Sequence, residues 1–203
     1  MVESYSIFEL IVMRDSTSIE AEQLHRQYPP IDLHADTLLW SRFVGYDMLK
    51  RHKPPLPKSL LGGHVDIPRL EEGGYGAQFF GLVSLPFMDP SPAEACVRQI
   101  NLLQETISRA KGRLRFARTV NDLAYSDGIA AFLGIEGAHA LEGQPYQLER
   151  FARLGVKYIG LLHFSANACG APAFGFGHNA HQGLTNFGHA IVEQCERSES
   201  LSL

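Results

Sequence analysis

Cysteine is scarce: Cys96, Cys169 and Cys195 are odd in number, widely spaced and without a CxxC pair. Neither a disulfide framework nor a zinc knuckle is encoded, and three reduced thiols point to the cytoplasm as the expected compartment. Basic residues are not in excess either. Lys and Arg total 18 against 22 Asp and Glu, a net charge of -4 with no basic block, so nucleic acid is not an expected partner. No apolar run approaches the roughly 18 residues needed for a membrane span. The run Ile7–Met13 is short, interrupted by Glu9 and lacks a basic start, which makes it a poor signal peptide. P-loop, GxSxG and HExxH patterns are missing. Gly175 and Gly177 precede no helix start at dinucleotide-binding spacing. Cys169 has no base beside it in sequence, so a thiol nucleophile has no support.

What is present is alternation. Apolar runs suited to strands, at Ile31–Asp36, Ala77–Ser84, Ala130–Glu136 and Lys157–His163, are separated by helix-like segments. A short helical piece, Ser18–Gln27, lies in a lead-in over residues 1–29, and a Pro/Lys-rich loop covers Arg51–Lys58. Pro92–Lys111 reads as a long helix, with Ser91 as N-cap, Glu94 completing a capping box and Pro92 in the first turn. Its Val97, Ile100, Leu103 and Ile107 recur at helical spacing, and Gly112 closes it. Shorter helices are expected at Val120–Ser126 and Tyr146–Leu154, and a last one opens at Thr185 with Phe187, Ile191 and Cys195 on one face. Strand–helix alternation of this kind argues for parallel β/α units with right-handed crossovers.

The polar residues collect where such units do chemistry. In PIDLHADTLLW, Asp32, His34 and Asp36 occupy alternate positions and point the same way on a regular strand. The first strand ends in His34 and Asp36, the third in Glu136 and the fourth in His163. In a parallel β/α barrel those ends form the active-site face. One imidazole and one carboxylate at i and i+2 begin a zinc site, and a carboxylate from another strand can complete it or bridge two metals. Asp32 is expected to hold His34 or the strand end by hydrogen bonding. His139 is expected to hold its loop and His64 to be structural. His178 and His181 lie in the glycine-rich FGFGHNAHQG, a loop expected to be solvated and able to fold over a site.

These segments resemble the membrane (renal-type) dipeptidases, zinc metallopeptidases built on a TIM-type (β/α) barrel, and their bacterial relatives in particular. The resemblance is carried by IDLHADTLLW, GGHVDIPRLEEGGYGAQFFG, LGIEGAHAL, LGVKYIGLLHFSAN and GLTNFGHAIVEQ, in the family's order, over residues 30–196. It implies that His34 and Asp36 are metal ligands and that Glu136 bridges two Zn2+ ions. It implies that His163 contacts a dipeptide substrate and stabilises the developing oxyanion. The attacking group would be a zinc-bridging hydroxide.

The resemblance covers about the first four β/α units. The family's second zinc also needs two histidines from later strands, whereas here GLTNFGHAIVEQ runs into a tail, Arg197–Leu203. A complete barrel usually takes about 250 residues. The expectation is therefore an incomplete barrel over residues 30–196, truncated, inactive or weakly active alone, holding at most one zinc, and a homo-oligomer through exposed sheet edges. Two alternatives stay open: another metal-dependent amidohydrolase acting on a lactam, ester or phosphoester, and a non-catalytic remnant.

Overall fold

Residues 19–53, 63–124 and 127–198 are described by a computed structural model. The expected Ile7–Met13 run lies outside them, as do most of the Pro/Lys-rich loop and the far end of the tail. In chain order the elements are α1 (Ile19–Gln27), β1 (Ile31–Ala35), α2 (Thr37–Val44), α3 (Ile67–Glu72), β2 (Ala77–Val83), α4 (Pro92–Arg109) and β3 (Leu114–Phe116). A 3-10 turn (Val120–Ala124), β4 (Ile129–Glu136), a second 3-10 turn (Ala138–Leu141), α5 (Tyr146–Leu154), β5 (Val156–Gly160) and α6 (Asn186–Glu196) follow.

Every strand pairing is parallel, and β2 lies between β1 and β4. Since β2 runs along one whole edge of β4, the other edge is shared. The short β3 pairs with Ile129–Ala131, and β5 pairs further along with Leu133–Glu136. The four expected strands thus lie in the order β1-β2-β4-β5. The fifth, β3, was not anticipated, because three residues between a helix and a turn are too few to show a period.

One face of the sheet carries the main core. Phe80, Leu82, Leu133, Ile135 and Ile159 are at most 1% exposed and meet Leu38, Ile100, Leu103, Phe151 and Ile191 from the helices. Burying each such side chain fully is worth about 1.5–3 kcal/mol. The helical face of α4 is as expected: Ile100 and Leu103 are buried, and Val97 and Ile107 pack against the core. Ser91 Oγ accepts from Glu94 N at 3.3 Å, while the Glu94 carboxylate pairs with Arg150 at 2.8 Å. Beyond α4 the chain reverses over two left-handed residues, Lys111 (φ 53°) and Gly112 (φ 87°), rather than over the glycine alone.

Pro68 sits in the first turn of α3, where a missing N–H costs nothing, and Asp66 caps that helix. Three further readings need correction. Thr37–Val44 is helical, so Asp36 is the last residue before a turn into α2 rather than a strand residue. The fourth predicted strand stops at Gly160, and beyond it Leu161 O accepts from Ala138 N of the neighbouring loop. His163 therefore stands on a loop three residues beyond β5. Finally, β1 does not alternate regularly: the ladder slips between Asp32, opposite Gln78, and Ala35, opposite Phe80. The slip puts Asp32 out of step with His34 and Asp36. Bulges of this kind re-aim side chains beside sites.

Among the described residues β1 pairs on one edge only, and Leu33 is 66% exposed. No helix among them is long and apolar enough to cross a membrane. The three cysteines are free and buried.

Candidate metal centre

At the carboxyl ends of the strands, His34, Asp36 and Glu136 each aim one donor atom at a common point, all within 4.8 Å of one another. His34 Nε2 lies 3.0 Å from Glu136 Oε2 and 3.0 Å from Asp36 Oδ1. The second oxygen of Glu136, Oε1, lies 3.0 Å from His163 Nε2. Residues from β1, β4 and the loop after β5 thus converge although 102 positions separate His34 from Glu136. Beside them a cavity of about 340 Å3 opens, lined in part by His34, Asp36, Trp40, Tyr46 and His64.

Two carboxylates crowd one imidazole here, that of His34. The Asp36 and Glu136 carboxylates raise its pKa to about 11 against the opposing effect of burial. Burial pushes the Asp36 carboxyl upward, but the His34 imidazole beside it wins and holds the pKa below the usual value. Even so, Asp36 Oδ1 is buried and has no hydrogen bond, since His34 Nε2 lies close to it without hydrogen-bond alignment. A buried acceptor left unsatisfied is costly. Two oxygens and one imidazole nitrogen form a donor set that suits a divalent cation.

Two strand glycines make the space. A Cβ on Gly81 of β2 would fall 2.3 Å from Asp36 Oδ1 and 2.9 Å from His34 Cε1. A Cβ on Gly134 of β4 would fall 2.0 Å from the ring of Tyr158. Tyr158, on β5, is the site residue that sequence reasoning missed. Its hydroxyl oxygen lies 2.6 Å from His34 Nδ1 and donates to Leu33 O at 3.3 Å. With Nδ1–H donating to Tyr158, Nε2 is left to face Asp36 and Glu136, the tautomer that a metal ligand needs. A signal was available: isolated glycines in AQFFGLV and AAFLGI mark close approach by another group.

The remaining polar residues take other duties. Asp32 Oδ1 accepts from His34 N at 3.1 Å and so ties the bulge of β1. His139 Nε2 meets Ala166 O at 3.2 Å and Ser165 Oγ at 3.0 Å, and burial lowers its pKa. It holds the loop that follows His163. His178 Nδ1 is bound to Pro172 O at 2.9 Å, and His181 is exposed. Neither belongs to the cluster.

A parallel β/α sheet with a His-Asp-Glu cluster at its carboxyl ends presents a candidate metal site on a barrel-type scaffold. The chain belongs to the membrane dipeptidase family (Peptidase family M19), whose family model matches residues 19–199. It is similar to dipeptidase 3 of Mus musculus, at 28% identity over 182 residues covering 88% of this chain and 36% of that protein. A solved dipeptidase described as a metallo peptidase of family M19 superposes with a TM-score of 0.64 at 25% identity, over 86% of this chain and 56% of that one. A metallo peptidase from Rhodobacter sphaeroides, liganded with a phosphinate mimic of the dipeptide L-Ala-D-Ala, shares the fold. Its TM-score is 0.62 at 24% identity, over 86% of this chain and 58% of that one. The chain therefore spans between about a third and three fifths of the length of these relatives.

Proposed function

We propose that the cluster binds zinc and serves the hydrolysis of dipeptides. The observation that carries this reading is the convergence of His34, Asp36 and Glu136 donor atoms within 4.8 Å. His34 Nε2, Asp36 Oδ1 and Glu136 would hold the metal. Zinc bound there would supply a Lewis acid for the amide carbonyl and make water nucleophilic near neutral pH. The family resemblance allots two zincs to such a site, and the described residues bring together one set of three ligands.

The protein groups have distinct tasks. Tyr158 fixes the imidazole of His34 through Nδ1. Glu136 divides its oxygens, one toward His34 and one toward His163. His163 Nε2, 3.0 Å from Glu136 Oε1, stands at the edge of the cluster. Turned to a substrate carbonyl, it would stabilise the negative charge that develops on that oxygen. The dipeptide named with the Rhodobacter sphaeroides peptidase supports short peptides as the substrate class. The free, buried thiols support an intracellular setting, and the exposed edge of β1 supports self-association.

The test is metal content and turnover together. Dialysis against zinc should leave a single ion on the chain, and the loaded chain should hydrolyse L-Ala-D-Ala only weakly, as an incomplete barrel would. Glu136→Gln should abolish turnover without changing the circular dichroism spectrum. Zinc retained equally by wild type and by His34→Ala would refute the site.

A further inference from the structure

The FGFG run, Phe174-Gly-Phe-Gly177, takes no part in the cluster, yet it is stitched to the chain leaving it. Phe164 directly follows His163, and the two ring centroids lie 3.8 Å apart. Phe176 N donates to Phe164 O at 2.9 Å, and Ala166 N donates to Phe176 O at 2.8 Å. The approach requires glycine. Gly175 has φ 100°, and a Cβ there would fall 2.1 Å from Phe164 O; at Gly177 a Cβ would fall 2.7 Å from Ala166 Cβ.

The strap carries aromatic rings. Phe174 meets Phe164 edge-on at 5.5 Å, and Phe176 meets Phe87 edge-on at 5.1 Å. Phe87 belongs to the turn after β2, which buried Asp89 fixes by accepting from Leu85 N at 2.9 Å and from both terminal nitrogens of Arg42 at 2.8 and 3.0 Å. Two loops, from the carboxyl ends of β2 and β5, thus present aromatic rings at the end of the sheet where His163 stands. Phe164, Phe174, Phe176 and Phe87 are 54%, 63%, 70% and 75% exposed, and Met88 beside Phe87 is 64% exposed. Apolar surface held this firmly against water marks a binding face.

We propose that this aromatic wall is the specificity subsite of the site described above, taking a bulky apolar side chain of the dipeptide; the inference rests on the peptidase reading. Successive residues of an extended peptide are about 3.3–3.6 Å apart. A carbonyl placed on His163 Nε2 therefore brings a side chain of the same dipeptide within reach of Phe164, whose ring lies against His163. Rings packed edge to face offer apolar contact to an aromatic or aliphatic side chain. An Asp or Glu side chain would lose water there without gaining a partner.

The probes are phosphinate dipeptide mimics carrying Ala, Phe or Asp side chains, titrated calorimetrically into the zinc-loaded chain. The Phe mimic should bind at least about tenfold more tightly than the Ala mimic, and the Asp mimic most weakly. Phe164→Ala with Phe174→Ala should collapse the Phe-to-Ala ratio toward one. Phe87→Ala and Phe176→Ala should lower the same ratio, and their exposure keeps the fold intact if the first pair unfolds. Equal affinity of the wild type for the Phe and Ala mimics, with both lost in His163→Ala, would overturn the subsite and leave the peptidase reading standing. No binding of any mimic would overturn both. A dimer dissociated by Phe87→Ala and Phe176→Ala, with the Phe-to-Ala ratio unmoved by any of the four substitutions, would assign the wall to a second copy and overturn the proposal.

Discussion

The hydroxyl oxygen of Tyr158 lies 2.6 Å from Nδ1 of His34, joining β5 to β1 across 124 positions of sequence. Strands β2 and β4 stand between them. Three inter-strand steps of about 4.8 Å would separate β1 and β5 by roughly 14 Å on a flat sheet. The contact exists because the sheet curves toward its site face. Removing the hydroxyl should leave that curvature in place and free the imidazole to rotate. Tyr158→Phe is expected to weaken zinc binding by about 10–100-fold with little change in thermal midpoint. Competition with a chromophoric chelator measures this, and an unchanged zinc affinity would refute the orienting role.

Gly81 is the floor of the site. Gly81→Ala would drive a methyl group to 2.3 Å from Asp36 Oδ1, a distance that one of the two must vacate. Overpacking of this kind costs about 1–3 kcal/mol of stability. Because the displaced groups are His34 and Asp36, zinc affinity is expected to fall by a larger factor than stability does. Denaturant titrations with and without zinc separate the two effects, since the zinc-dependent part of the stability should vanish in the variant.

Zinc itself should act as a stabiliser. A ligand that binds only the folded chain adds about 2.7 kcal/mol at a hundred times its Kd. The thermal midpoint of the wild type is therefore expected to rise with added zinc and to return on chelation. His34→Ala, Asp36→Ala and Glu136→Ala should each lose the response. A zinc-induced shift that survives all three substitutions would place the metal elsewhere.

Away from the site, Asp66 governs acid stability. Its buried carboxylate accepts from Arg69 N at 3.0 Å, Arg69 Nε at 2.9 Å, Arg69 Nη2 at 2.7 Å and His52 N at 2.9 Å. Burial favours the neutral acid, but the Arg69 guanidinium and the two backbone donors outweigh it and hold the pKa below the ordinary carboxylate range. On acidification the unfolded chain takes up this proton first. The stability that Asp66 contributes is thus complete above about pH 4 and lost as the pH falls through its lower folded value. Asp66→Ala should cost about 3 kcal/mol at pH 7, and the gap from wild type should narrow in urea titrations taken toward pH 3. A gap that stays constant with pH would contradict the assignment.

Much of this molecule was legible in local pattern. The spacing of Ile100 and Leu103 marked the buried face of α4. Thr185 was recognisable as a helix start, and its Oγ1 accepts from Gly188 N at 3.0 Å. The alternation of apolar runs gave the parallel β/α class, and HxD followed by a late Glu136 gave the candidate ligands. Such signals need only near neighbours in sequence, because periods, caps and breakers act within a few residues.

Other features depend on long-range approach. The register slip of β1 against β2, and the bonds that Gly160 O and Leu161 O accept from Gly137 N and Ala138 N, are contacts between distant segments. The partnership of Tyr158 with His34 and the space left by Gly81 and Gly134 exist only once the sheet has curved. Sequence by itself determined which residue types end which strands. The tertiary structure decided which donor atoms meet, since a separation of a few ångströms between groups 102 or 124 positions apart is set by sheet register and curvature rather than by either segment alone.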